Sequence, residues 1–306
     1  MVMKLGMIGA SAGNGHPWSF SAIINGYDRE RFSRCGWPVI FEYLERREPS
    51  EFGVEGVRVS SVWTQDPAVS RAIAEATFID SICASPATML EEVDAVVVAR
   101  DDWRSHYPIA IEFLRAGKHV FVDKPLSLDT KELRELLPYL ENAQLMSCAA
   151  LRYAAELDEY RVLCRDAQPH VVSASVVLDW PRYGVHLLDG IFSGIEFDVE
   201  SVFAAGDDPR VAILNCASGR KISLNCVGRS ERTFRFSFFF PDRRVVCEVI
   251  DNFTAFKRTL TVFRNQMLER RPAIDPRLTL GIMKVLIAGE RSAALNRVVY
   301  LDEIDV

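Results

Sequence analysis

Residues 4–16 read KLGMIGASAGNGH, and this stretch decides the fold of the first half of the chain. The apolar segment Lys4 to Ile8 is typical of a short buried strand, and it runs directly into a turn with three glycines. A helical pattern follows from Trp18 to Tyr27. Glycines between a strand and a helix let the backbone approach a pyrophosphate, whose charge the helix N-terminus stabilises. The stretch therefore predicts a dinucleotide site.

The sequence of this turn differs from the dinucleotide-binding pattern G-x-G-x-x-G, which would have glycine at the positions of Ser11 and Asn14. A small serine still permits close approach, and asparagine tolerates a positive φ. The alternative is a tight strand-to-helix turn that binds no ligand. The cofactor-binding residues that the turn predicts are Gly9, Ser11, Gly13 and Asn14.

Strand and helix patterns go on alternating up to about residue 150. The predicted strands after the first are Val57 to Trp63, Val93 to Ala99, His119 to Val122 and Leu145 to Ala149. This order predicts an α/β Rossmann domain over residues 1–150, with a doubly wound parallel sheet. Residues 28–55 are more than a minimal Rossmann unit needs between its first helix and second strand, so they form an insertion. The insertion is either a surface segment that packs its own aromatic side chains, or a lid or interface element.

From about residue 170 the strands follow one another directly, which predicts a largely antiparallel sheet. Two helices come after them, Ala255 to Arg270 and Leu278 to Ala294. Residues 151–306 are therefore expected to form an α+β domain that serves substrate binding and oligomerisation.

Composition narrows the function classes. Of the 306 residues, 49% are hydrophobic and 25% are charged, as in an ordinary globular protein. The net charge of -6 and the lack of a basic cluster argue against a nucleic-acid partner. No signal peptide and no apolar span is visible, so we expect a cytoplasmic protein without membrane contact. Seven scattered cysteines, without a CxxC pair, indicate reduced thiols and no metal site.

The end of the second predicted strand bears on the choice of cofactor. A dinucleotide site usually has Asp or Glu there to accept the ribose hydroxyls, but this chain has Thr64, followed by Gln65 and Asp66. A threonine neither grips the diol as a carboxylate does nor repels a 2′-phosphate. Thr64 is a predicted cofactor contact, and NAD and NADP both stay open.

The segment GKHVFVDKP, residues 117–125, resembles the Glu-Lys-Pro block of the glucose-fructose oxidoreductase / inositol dehydrogenase (Gfo/Idh/MocA) family, with Asp123 in place of glutamate. A lysine that closes a buried parallel strand projects from the edge where such sheets bind ligands. The resemblance implies that Lys124 assists proton transfer and helps to place the cofactor. It also implies that the loop with Arg100 and Asp101, which departs from the family's Ala-Thr-Pro, lies over the cofactor; the alternative is a solvated charged loop without a ligand contact.

A second resemblance lies at residues 182–189, RYGVHLLD, which match the family's D-x-G-x-H-x-x-D except that Arg182 replaces the first aspartate. The match makes His186 the expected general base, because neutral imidazole accepts a hydroxyl proton near pH 7. Arg182 brings a cation one turn before it, which predicts an anionic substrate or a lapsed site. Tyr183 is a further candidate for substrate binding.

The sequence thus predicts an NAD(P)-dependent oxidoreductase acting on a hydroxyl or carbonyl of a sugar, acidic in character or from surface-polysaccharide metabolism. The alternative is a catalytically lapsed dinucleotide- or sugar-binding protein on the same fold. By resemblance a homodimer or homotetramer is expected, formed through the open face of the second sheet. The aromatic strand Phe234 to Phe240 would either supply an apolar patch there or be used inside its own domain.

Overall fold

The structure, a computed structural model, describes residues 2–208 and 210–306 and divides into two compact units. The first unit comprises Met1–Leu126, Leu136–Ser147 and Phe256–Ile274. The second comprises Ser127–Glu135, Cys148–Ala255 and Asp275–Val306. The chain therefore returns to the Rossmann unit through a helical segment near its C-terminal end.

The first unit contains a six-stranded parallel sheet in the order β3-β2-β1-β4-β5-β6. Its strands are β1 (Met3–Ile8), β2 (Val57–Trp63), β3 (Ser81–Ile82), β4 (Ala95–Val98), β5 (His119–Val122) and β6 (Leu145–Ser147). The central strand β4 is fully buried, as the unbroken run of apolar residues in its sequence requires. The doubly wound parallel sheet predicted from the sequence is confirmed.

Helices connect these strands. They are α1 (His16–Asn25), α2 (Arg29–Phe32), α3 (Pro38–Glu45), α4 (Pro67–Ala76), α5 (Pro86–Met89), α6 (His106–Arg115) and α7 (Thr130–Glu141). Proline opens several of them, where its missing N–H costs nothing. Helices α2 and α3 form the insertion, and its aromatic rings pack on one another, with Phe32 and Phe41 6.4 Å apart. This packing agrees with the interpretation of the insertion as a surface segment that packs its own aromatic side chains.

The second unit contains a seven-stranded sheet in the order β12-β11-β7-β10-β9-β8-β13. The strands are β7 (Val171–Val176), β8 (Val199–Ala205), β9 (Arg210–Cys216), β10 (Lys221–Cys226), β11 (Phe234–Phe239), β12 (Arg244–Glu248) and β13 (Val299–Tyr300). The remaining helices of the chain are α8 (Asp158–Leu163), α9 (Trp180–Ile191), α10 (Asn252–Glu269) and α11 (Pro276–Leu295), and α10 belongs to the first unit from Phe256 onward. All neighbouring strands are antiparallel except β7 and β10. The largely antiparallel sheet is confirmed.

The aromatic side chains of β11 are used mainly inside the second unit. Phe236 and Phe238 are fully buried, and Phe238 stacks on Tyr160 at 3.6 Å between ring centroids. Only Phe239 is exposed among the aromatics of this strand. Of the two alternatives for this strand, the structure shows the one in which its aromatic rings pack inside their own domain. They do not form the exposed apolar patch that the oligomerisation alternative requires.

None of the helices within residues 2–208 and 210–306 combines the length and the apolar character that crossing a bilayer requires. In the same described residues, no three His, Cys, Asp or Glu side chains come together as a metal site would need.

Candidate active site

The strand order of the first sheet reverses between β1 and β4, so that the chain leaves these two strands toward opposite sides. The glycine turn follows β1, and the loop 99–105 follows β4. Sheets of this kind bind ligands in the crevice outside the carboxyl ends of the strands at such a reversal. The topology therefore places both predicted cofactor segments at the expected edge.

Two glycines give the turn its shape. Gly9 and Gly13 have φ values of +83° and +80°, and the Asn14 backbone N–H closes the turn on the Ser11 carbonyl at 3.1 Å. A Cβ added to Gly9 would lie 2.5 Å from the Arg100 side chain, whereas one added to Gly13 would meet nothing within 4 Å. The space beside Gly13 is therefore open, which close approach of a pyrophosphate would require.

Gly15 has a different reason to be glycine. A Cβ at this position would lie 2.4 Å from Ile40 Cδ1 and 2.8 Å from the Trp37 ring, because α3 of the insertion packs against the turn. Trp37 also contacts Trp18, with 5.5 Å between ring centroids, and Tyr43 Oη lies 2.5 Å from Ser19 Oγ. The insertion therefore supports the turn and the beginning of α1.

The loop after β4 is hydrogen-bonded to the turn. Ser11 Oγ donates to Asp101 Oδ1 at 2.6 Å and accepts from the Asp101 backbone N–H at 3.3 Å. Arg100 lies against Gly9, but its guanidinium forms a bidentate pair with Asp102 at 2.7 Å for both bonds. The structure thus brings Gly9, Ser11, Arg100 and Asp101 together, and it pairs the arginine charge within the loop.

At the end of β2, Thr64 is buried and bonded internally. Its hydroxyl donates to the Asp66 carbonyl at 2.7 Å and lies 2.8 Å from Ser70 Oγ. Gln65 reaches the turn instead, where its side-chain amide donates to the Ala10 carbonyl at 2.8 Å and accepts from the Ala10 N–H at 3.2 Å. Sequence reasoning missed Gln65, although its position after the second strand is where a cofactor contact is sought.

A buried acidic group joins the turn to the end of β5. Asp123 Oδ2 lies 2.6 Å from His16 Nδ1 and accepts from Asn14 Nδ2 at 3.3 Å. Burial raises the pKa of Asp123, but the neighbouring His16, Lys124 and His106 outweigh this effect and hold it at about 2. Lys124 is also buried, with 3% of its surface exposed. Lys124 thus lies just after β5, next to a carboxylate that is ionised at neutral pH and hydrogen-bonded to the glycine turn.

His106 joins the two loops further. Its Nδ1 lies 2.8 Å from the Pro125 carbonyl and its Nε2 lies 3.0 Å from the Arg100 carbonyl, with the ring fully buried. The segments after β4 and β5 are therefore fixed relative to each other within the first unit.

The low pKa of Asp123 predicts a loss of stability in acid. A carboxyl with a folded-state pKa near 2 and an ordinary value of 3.8 stabilises the fold fully above about pH 4, and this stabilisation disappears as the pH falls toward 2. Asp123→Asn should remove about 2 kcal/mol of pH-dependent stability over this range. Urea unfolding at several pH values measures this difference.

Asp80→Asn is the matched control, because Asp80 pairs with Arg58 at an exposed position. Equal acid dependence of the Asp123→Asn variant and the natural protein would contradict the assignment.

In the second unit, α9 carries the other predicted residues. Asp179 caps the helix by accepting from the Arg182 backbone N–H at 3.1 Å, and it also accepts from Arg182 Nε at 2.9 Å and Nη2 at 2.6 Å. The sequence predicts that Arg182 is a cation paired with an anionic substrate. The structure supplies a carboxylate from within the chain, at a spacing of three residues.

His186 lies on the same helix and is 7% exposed. Its ring is 5.3 Å from that of Tyr183 and 5.6 Å from that of Phe234. Asp189, one turn later, accepts from the Ala149 backbone N–H at 2.7 Å and from Arg152 at 3.3 Å. Burial raises the pKa of Asp189 to about 6 despite Arg152. Asp189 therefore connects α9 to residues 149–152, and Arg152 is a partner that the sequence did not indicate.

The strand order, the glycine turn and the switch-point loops define a Rossmann-type dinucleotide fold. Residues 40–150 match the family model GFO_IDH_MocA, described as an oxidoreductase family with an NAD-binding Rossmann fold. The Gfo/Idh/MocA resemblance found in the sequence is thereby confirmed over residues 40–150. The match begins after the glycine turn, whose ligand contacts stay predictions.

Two curated proteins are similar to parts of the chain. A glycosyl hydrolase family 109 protein of Shewanella amazonensis is 33% identical over 104 residues, which is 30% of this chain and 22% of that protein. An uncharacterized oxidoreductase of Rhizobium meliloti is 26% identical over 184 residues, covering 57% of this chain and 49% of that protein. The chain thus spans about half or less of these relatives.

Among solved structures, scyllo-inositol dehydrogenase from Lactobacillus casei with bound NAD(H) and scyllo-inositol has a TM-score of 0.78 to this chain. The alignment covers 99% of this chain and 100% of that chain at 13% sequence identity. This likeness confirms the fold of both units.

Proposed function

We propose that the protein is an NAD-dependent oxidoreductase that acts on a secondary hydroxyl or the corresponding carbonyl of a sugar or cyclitol. The observation that supports this most strongly is the buried Lys124 at the carboxyl end of β5, next to the ionised Asp123. When bound, a nicotinamide supplies the hydride acceptor or donor. In this proposal Lys124 holds the substrate oxygen by a hydrogen bond, and His186 accepts the hydroxyl proton as general base.

The substrate we propose is electrically neutral at the reacting end. Arg182 Nε and Nη2 both donate to Asp179 Oδ2, so the two charges offset each other at the start of α9. This pair removes the unpaired cation on which the expectation of an acidic sugar rested. Tyr183 stays a candidate for hydrogen bonding to a sugar hydroxyl.

We propose NAD rather than NADP as the cofactor. The segment after β2 is Thr64-Gln65-Asp66, which brings a carboxylate and no cation to the place where a 2′-phosphate would lie. Asp66 itself caps α4, accepting from the Ala68 backbone N–H at 2.8 Å. A 2′-phosphate would meet this negative charge.

Titration with NADH and NADPH, followed by nicotinamide fluorescence, tests the cofactor proposal. NADH should bind more tightly than NADPH, and Gly13→Asp should weaken NADH binding at least about a hundredfold, since it puts a bulky anion into the open turn. Gly117→Asp is a matched control. Gly117 has a φ of +78° and the same open surroundings, but it precedes β5 at the opposite edge of the sheet.

Absence of NADH and NADPH binding at millimolar concentration would remove the cofactor proposal. Turnover is measured separately with a panel of inositols, free sugars and glycosides. Binding of NADH without turnover of any of them would favour the lapsed binding protein over the enzyme.

A further inference from the structure

The glycine turn lies next to two buried carboxylates. Asp101 is hydrogen-bonded to Ser11, and Asp123 is hydrogen-bonded to Asn14, with 6% and 3% of their surfaces exposed. Arg100 also lies at the turn, but its guanidinium is held by Asp102. A pyrophosphate with negative charge on both phosphates therefore needs a compensating donor close to the turn.

His16 is placed to be that donor. It is the first residue of α1, whose N-terminus is the binding position for pyrophosphate in this fold. Its ring is fixed by Asp123 at Nδ1, by stacking on Phe20 at 4.9 Å and by an edge contact with Phe256 at 5.0 Å. Within the described residues, the imidazole has one hydrogen-bond partner, Asp123. The His16 side chain is 19% exposed.

The orientation of the ring follows from these contacts. A carboxylate beside Nδ1 accepts a hydrogen bond from that nitrogen, so the opposite nitrogen, Nε2, is the one that can face a ligand. The two phenylalanine rings prevent the imidazole from turning away. The conformational entropy of the His16 side chain is therefore lost when the protein folds, and little more is lost when a ligand binds.

We propose that His16 is a dinucleotide-binding residue whose Nε2 donates to the pyrophosphate, with Asp123 as its positioning residue. The proposal rests on the proposed dinucleotide function and adds to it a named contact and the part of the ligand that this contact recognises. In this proposal the buried Asp123 both neighbours Lys124 and holds the His16 imidazole at the turn.

Two isosteric replacements separate a ligand contact from a structural role. In His16→Asn the amide nitrogen replaces Nδ1 and keeps the bond to Asp123, but nothing replaces Nε2. In His16→Gln the amide nitrogen replaces Nε2 and the bond to Asp123 is lost. NADH, ADP-ribose and adenosine are titrated against both variants and the natural protein by calorimetry, and melting temperatures are recorded.

His16→Asn should bind NADH and ADP-ribose about tenfold more weakly, a change of about 1.4 kcal/mol, with adenosine affinity close to the natural value. Its melting temperature should fall slightly, because the ring contacts with Phe20 and Phe256 are lost. His16→Gln should keep more of the NADH affinity but melt at a lower temperature, because Asp123 loses a buried donor. Unchanged NADH affinity in His16→Asn, or an equal loss for adenosine, would overturn the proposal. If the natural protein itself binds no NADH, the proposed function fails, and the role of His16 fails with it.

Discussion

Lys124→Met is expected to lower kcat/KM for sugar oxidation by up to about a thousandfold, the range for the loss of a positioned hydrogen-bond donor to a reacting oxygen. The lysine is buried at the carboxyl end of β5, where its charge lies beside ionised Asp123. Methionine keeps the length and the apolar stem but cannot hydrogen-bond the reacting oxygen. Steady-state kinetics and NADH titration should be measured on the same preparation.

Lys118→Met is the matched control for this experiment. Lys118 stands just before the other end of β5, and its ammonium donates to the Val93 carbonyl at 2.8 Å. It should leave kcat/KM within a factor of about two. An active Lys124→Met variant would show that the family resemblance misleads about this residue, whereas loss of the fold would appear in the circular dichroism spectrum.

Trp180→Ala is expected to destabilise the second unit by about 3 to 5 kcal/mol, the usual cost of truncating a fully buried tryptophan. The indole is 1% exposed and donates to the Leu286 carbonyl at 2.9 Å. It also fills the space beside two glycines, since a Cβ on Gly184 or Gly289 would lie 3.0 or 2.6 Å from the ring. Because His186 is on the same helix, activity should fall together with stability.

Trp180→Phe separates packing from hydrogen bonding. It keeps most of the ring volume but leaves the Leu286 carbonyl without the indole donor, so we expect a loss of about 1 to 3 kcal/mol. Urea unfolding followed by far-ultraviolet circular dichroism measures both variants. A cost below about 1 kcal/mol for Trp180→Ala would mean that α9 and α11 are not held together by this ring.

The parts of the fold that sequence predicted are those with a local signal. The apolar run before Ala99 and the glycines after Ile8 mark strands and a turn by themselves. The strand Ser81–Ile82 has only two residues and no periodicity, so nothing local identifies it. The parallel pairing of β7 with β10 is also absent from the sequence pattern, because consecutive strands favour antiparallel neighbours until the tertiary contacts are known.

The same distinction holds at the candidate site. Gly9 and Gly13 were identified by their spacing, and both have the positive φ that glycine accommodates. The bond between His16 and Asp123 joins residues 107 positions apart, which no motif encodes. The Arg182–Asp179 pair joins residues only three positions apart, with Asp179 at the N-cap of α9, so a pairing at this spacing is accessible from the sequence.

The packing of Trp37 on Gly15 has a consequence for protein engineering. Exchange of a short loop beside a nucleotide site succeeds only where that loop is structurally independent of the rest of the chain. Here a residue with a side chain at position 15 would collide with Trp37 and Ile40, which lie more than twenty positions further along the chain. A donor loop that replaces residues 9–15 must therefore either keep this glycine or be transplanted together with residues 28–55, because the two segments form a single exchangeable module.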